Sequence, residues 1–103
     1  MPLHTVCALS EIPADTIKQA ALKDGAKIAL YNVDGKVYAT ADACTHGAAS
    51  LSEDGILDGQ IVECSWHFGR FDVTTGEPCA SPCTIPLKTY RVEIVDGIVS
   101  VEV

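Results

Sequence analysis

Cys44 and His46 stand one residue apart, Cys64 and His67 two apart, and residues 47–63 separate the pairs. Each pair offers one soft thiolate and one imidazole, ligands suited to zinc and to iron. The chain has three histidines, and two of them, His46 and His67, follow a cysteine in matching segments. Ordinary core cysteines and surface histidines explain that pairing poorly. A structural zinc site accepts two Cys and two His in a tetrahedron. Zinc folds, however, usually take a close Cys pair from one hairpin and a His pair from a helix, and this spacing fits that plan badly. A cluster of two irons and two sulfides, with thiolates on one iron and imidazoles on the other, uses all four residues. In an extended Cys-x-His segment the first and third side chains point the same way, so one loop can reach both irons.

Elements of strand type must hold these segments. Residues 27–40, KIALYNVDGKVYAT, contain two β-rich runs meeting at Asp34-Gly35, a strong hairpin signal. Residues 89–103 repeat that grammar around Asp96-Gly97, and Val99, Val101 and Val103 alternate with polar Ser100 and Glu102 as in a half-buried strand. Gln60–Cys64 reads as a further strand, and Arg70–Val73 leads into a turn at residues 74–77. Residues 15–23, DTIKQAALK, carry helix formers, but in a β-rich chain a strand is expected there. The expected architecture is an all-β sandwich or small barrel from which the two Cys/His stretches project as loops.

At 103 residues, 48% of them apolar and 20% charged, the chain suits one compact domain with a real core. Its formal charge of −7 disfavours partners held through phosphates and excludes nucleic acid. The acidic surface suits basic patches on partner proteins, or serves solubility alone. The opening MPLHTVCALSEIP lacks a basic start followed by a long apolar run, and no stretch has the length of a membrane span. A soluble, cytoplasmic protein is expected. Five cysteines, an odd number without an export signal, point to metal ligation rather than a disulfide scaffold.

The segments CTHGAASLSEDG and CSWHFGRFDVTTG resemble the two cluster-binding loops of Rieske proteins, and the resemblance runs over essentially the whole chain. LYNVDGKVYATADACTHG, DGQIVECSWHFGRFD and PLKTY are similar to the Rieske ferredoxin components of bacterial aromatic-ring-hydroxylating dioxygenases. The resemblance implies a single domain over residues 1–103, an antiparallel β-sandwich with a small subdomain of two cluster-binding loops at about 43–50 and 63–71. It implies one Rieske-type 2Fe-2S cluster, with Cys44 and Cys64 on the inner iron and His46 and His67 on the outer iron near the surface. It further implies a monomeric one-electron carrier between a flavin-dependent NAD(P)H reductase and a terminal oxygenase, with no membrane association and no substrate chemistry of its own. The small subunit of a nitrite reductase, and a ferredoxin serving another oxygenase, share this pattern. A zinc module for protein association is the reading from a different class.

Two ferric ions, two sulfides and two thiolates sum to zero charge, so one-electron reduction leaves −1. Neutral imidazoles in place of two thiolates raise the potential above that of a four-Cys cluster. In respiratory Rieske proteins, hydroxyls on the second loop and a disulfide between the loops raise it further. The corresponding positions here, Gly69, Phe71, Trp66 and Ala49 or a neighbour, supply neither. The expected potential is on the order of −150 mV, the low end of the Rieske range.

Trp66, Phe68 and Phe71 are expected to form a dry wall by the second pair, or plain core. Gly47, Gly55, Gly59 and Gly69 are expected to allow tight turns or close backbone approach to the sulfurs. Cys79 and Cys83 are assigned to an irregular covering loop without metal, Cys7 to a buried apolar position, and His4 to no role. No phosphate loop, dinucleotide fingerprint, Ser/His/Asp grouping or oxygen-activating iron site is visible. The expected protein carries electrons and is not an enzyme.

Overall fold

The computed structural model describes residues 3–22, 25–43, 50–64, 69–80 and 86–102. Eleven strands are described: β1 (Leu3–Ala8), β2 (Ile17–Ala21), β3 (Lys27–Val33), β4 (Lys36–Ala41), β5 (Gly55–Asp58), β6 (Ile61–Cys64), β7 (Arg70–Asp72), β8 (Pro78–Ala80), β9 (Thr89–Tyr90), β10 (Val92–Val95) and β11 (Ile98–Glu102). A 3-10 turn (Leu9–Glu11) follows β1, and one short helix, α1 (Leu51–Asp54), precedes β5. The strands form three antiparallel sheets with orders β1-β11-β10, β2-β3-β4-β9 and β5-β6-β7-β8. The fold class is all-β, as the strand signals indicate.

Both Asp-Gly hairpins form. Val33 pairs with Lys36 and Val95 with Ile98, so each loop holds two residues. All four loop residues have positive φ, 52° and 88° at Asp34 and Gly35, 52° and 76° at Asp96 and Gly97. That is the type I′ geometry matched to strand twist. The helix-forming stretch is a strand: β2 pairs with β3 from Ile17↔Tyr31 to Ala21↔Lys27. Cross-strand pairing there outweighs the small intrinsic preference for helix.

β3 explains the layering. Ile28 and Leu30 face a core shared with Val37, Ala39, Val99 and Val101, whereas Ala29 and Tyr31 face another holding Leu51, Val62, Cys64, Phe71 and Val73. With period-two alternation, a strand apolar on both faces must lie between two layers. The β2-β3-β4-β9 sheet is therefore the middle layer. The β1-β11-β10 sheet covers one face, and the β5-β6-β7-β8 sheet covers the other.

Three expectations need adjustment. The run from Thr89 to Val95 is divided at Arg91: β9 pairs with β4 in the middle sheet, and β10 pairs with β11 in the outer one. Cys79 lies on a strand, because Pro78–Ala80 pairs with β7. Proline is tolerated there because β8 is an edge strand. Cys7 is half-buried rather than fully buried, since β1 is also an edge strand. Val99 and Val101 are fully buried as expected; Val103 lies outside the described residues.

Candidate metal centre

The second Cys/His segment grows from the end of β6. A hairpin turn at Gly59-Gln60, with φ +60° at Gly59, joins β5 to β6. Its register places Gly55 opposite Cys64. Cys64 is fully buried and its thiol is not in a disulfide. The Cys64 amide donates to the Gly69 carbonyl at 2.8 Å, which ties the two ends of residues 64–69 together before β7 begins. Val62 and Phe71, paired across β6 and β7, are both fully buried and share a core with Cys64. Phe71 is thus packed in the core that holds Cys64; Trp66 and Phe68 lie outside the described residues.

The first segment is closed at its base by an antiparallel bridge between Ala43 and Ser50. Next to that bridge, the Asp42 carboxylate accepts from the Ser50 hydroxyl at 2.6 Å, the Gln19 side-chain amide at 2.8 Å and the Ser52 backbone amide at 2.8 Å. The Asp42 backbone completes the knot, accepting from Leu51 N–H at 2.8 Å and donating to the Lys27 carbonyl at 3.1 Å. Burial pushes the Asp42 carboxyl upward, but hydrogen bonds from Ser50, Ser52 and Gln19 outweigh it and hold the group below the usual carboxylate range. Ser50 also caps α1, its hydroxyl accepting from Glu53 N–H. Helix α1 then leads from the base of the first segment to Gly55, the partner of Cys64.

Gly55 permits this junction. A Cβ there would overlap the Leu51 carbonyl oxygen, so the backbone packs closely against that carbonyl. Leu51 itself is fully buried in the core that holds Cys64.

Of the four expected ligands, Cys64 is described; Cys44, His46 and His67 lie outside the described residues, as do Gly47, Ala49 and Cys83. Among the described residues no three Cys, His, Asp or Glu side chains gather as a metal site. Cys64 suits a cluster thiolate: it is a free, buried cysteine at the foot of a tied loop. The other described cysteines differ. Burial, with the Glu11 charge added and Lys18 opposing, pushes the Cys7 thiol up, which disfavours a thiolate; Cys79 is exposed. His4 sits on β1 opposite Val101.

Sequence reasoning missed Asp42, Gln19, Ser50 and Ser52. Ser50 and Glu53 have the spacing of a helix start. Asp42 had no local signal, because its partners lie 8 to 23 residues away.

Residues 3–91 match the family described as the Rieske 2Fe-2S domain. The chain is 49% identical over 98 residues to the ferredoxin component of the p-cumate 2,3-dioxygenase system of Pseudomonas putida, covering 95% of this chain and 83% of the relative. Among solved structures, the Sphingomonas yanoikuyae B1 ferredoxin superposes with a TM-score of 0.93 at 39% identity, covering 99% of both chains. A chain from the complex of reduced oxygenase and oxidised ferredoxin in carbazole 1,9a-dioxygenase gives a TM-score of 0.90 at 47% identity, over 96% of this chain and 91% of that one. A protein described as the small subunit of an NADH-dependent nitrite reductase of Mycobacterium tuberculosis, at 22% identity, shares the fold alone. The cofactor is therefore one Rieske-type 2Fe-2S cluster, and the zinc alternative falls away. With its three antiparallel sheets, its buried Cys64 and a match over residues 3–91, the chain belongs to the Rieske 2Fe-2S domain family.

Proposed function

We propose that this chain is the one-electron carrier of an aromatic-ring-hydroxylating dioxygenase system, taking electrons from an NAD(P)H-dependent flavin reductase and passing them to a terminal oxygenase. One observation carries the reading: 49% identity across 95% of the chain to a ferredoxin component of such a system. It works as a single domain over residues 1–103, monomeric by itself, in the cytoplasm. No helix among the described residues is long and apolar enough to cross a membrane.

In this reading Cys44 and Cys64 hold the inner iron, and His46 and His67 hold the outer iron. The bound cluster supplies reversible one-electron chemistry. The chain's own residues position and insulate it. The Ala43–Ser50 bridge and the Cys64–Gly69 hydrogen bond fix the feet of the two loops. Phe71, Val62 and Leu51 keep water from the Cys64 side, so the histidine tip is the electron port. The formal charge of −7 suits docking on basic faces of both partners.

Reconstitution tests this function. A reductase of this type with NADH should bleach the purified protein, and a matching oxygenase should restore its colour under substrate and oxygen. Failure of both partners to exchange electrons with a cluster-loaded protein would overturn the reading.

A further inference from the structure

The change of sheet at Arg91 opens a gap. β9 pairs with β4 at Ala39↔Tyr90 and Thr40↔Thr89, and from Val92 onward the chain runs beside β11 instead. Val37 and Tyr38, the residues of β4 just before Ala39, therefore pair with β3 on one side, while no strand among the described residues pairs with them on the other. A cavity of about 380 Å³ lies there, bounded by Val37 and Ala39 of β4, Val92 of β10, and Val73 and Thr74 just after β7. All three sheets meet at its walls.

The lining decides what fits. Val37, Ala39 and Val92 belong to one core, and Tyr38 and Val73 to the other, so an occupant meets aliphatic side chains and, with Tyr90, two phenol rings. Such rings pack well against a further aromatic ring. Tyr38, Thr89 and Tyr90 also bring hydroxyls to this lining, and none of the three makes a hydrogen bond among the described residues. The Thr74 hydroxyl, by contrast, is committed to the Asp72 carboxylate at 2.6 Å. Charge is committed too. The Arg91 guanidinium is held by Glu93 at 2.9 Å and Glu102 at 3.6 Å, and the Lys88 ammonium rests on the Tyr90 ring, 5.1 Å from its centroid. Free hydroxyls beside engaged charges favour a neutral group that both donates and accepts.

We propose that this cavity binds a neutral hydroxylated aromatic molecule, a phenol of one or two rings. Its ring packs among Val37, Val73, Val92 and the two tyrosines, and its hydroxyl exchanges a hydrogen bond with Thr89 or Tyr90. The volume lies in the range of small-molecule sites. An occupant bridges the three sheets where the chain leaves one for another, and so stabilises the fold by mass action. The site stands on the fold alone and is independent of the electron-carrier reading.

Phenol itself is the probe, titrated into the oxidised, cluster-loaded chain and followed by amide nuclear magnetic resonance, with the thermal midpoint and visible spectrum recorded alongside. Saturable shifts at Tyr38, Thr74 and Tyr90, a raised midpoint and an unchanged visible spectrum are expected. Thr89→Val and Tyr90→Phe each remove one hydroxyl and keep the shape of the wall, and at least one should weaken phenol roughly three- to tenfold, the worth of a single hydrogen bond. Equal affinity for phenol in both variants overturns the proposal. So does tighter binding of benzoate than of phenol, which would make this an anion site. Absence of saturable shifts at these residues, or a visible spectrum altered by phenol, overturns it as well, the latter by placing the ligand at the cluster.

Discussion

Gly55 stands directly opposite Cys64 across β5 and β6, and it has no room for a side chain, because a Cβ would overlap the Leu51 carbonyl oxygen. The obstacle is backbone, which cannot rotate away. Gly55→Ala should therefore separate α1 from β5 and displace the strand that backs Cys64. A loss of about 1–3 kcal/mol is expected from such overpacking, read as a lower thermal midpoint and lower iron content per chain. Wild-type stability in this variant would mean that the junction adapts freely.

Phe71→Ala tests the apolar wall. Phe71 is fully buried with Cys64, Val62 and Leu51, and truncating such a ring costs about 3–5 kcal/mol. The loss includes a cavity next to the cluster loop. Faster bleaching in air should accompany the stability loss; unchanged cluster lifetime would place Phe71 in the core without a protective role.

Acid stability should depend on Asp72. Its carboxylate accepts from the Thr74 amide at 2.9 Å, the Thr74 hydroxyl at 2.6 Å and Gln60 at 2.8 Å, holding the turn after β7. Burial pushes this carboxyl up, but the Thr74 and Gln60 donors win and its pKa is lowered. A lowered folded-state value means stability that is present above the ordinary carboxylate pKa, about 3.9, and lost as pH falls through the folded value. Asp72→Asn should melt below wild type at pH 7, and the gap should narrow as pH drops below about 4. A gap constant with pH would show that charge plays no part.

Ligand exchange separates the cysteines and histidines. His46→Cys or His67→Cys should lower the potential or lose the cluster, since a thiolate adds negative charge to the outer iron. Cys79→Ser should leave the visible spectrum unchanged, because Cys79 is exposed on an edge strand. Cluster loss in Cys79→Ser would show that this thiol takes part in the centre.

The parts legible in the sequence were those governed by local rules. The Asp-Gly dipeptides at 34–35 and 96–97 determine their own turns, and the paired Cys/His segments carry the resemblance to Rieske loops that the family match supports. What stayed hidden depends on contacts between distant segments. Nothing around Arg91 announces that the chain changes sheets there, and Pro78–Cys79 reads as loop until β7 supplies a partner. Asp42 shows the limit best: its role is defined by Gln19 upstream and Ser50 and Ser52 downstream. Gly55 reads as a point of close approach, but the atom it approaches is the Leu51 carbonyl oxygen, which only the turn from α1 into β5 brings there.

Direct voltammetry of the purified protein tests the central claim. A single reversible one-electron wave on the order of −150 mV, the low end of the Rieske range, is the predicted result for a carrier fed from NAD(P)H. A wave several hundred millivolts higher would contradict that place in the electron path, and a colourless protein with no wave would contradict the cluster itself.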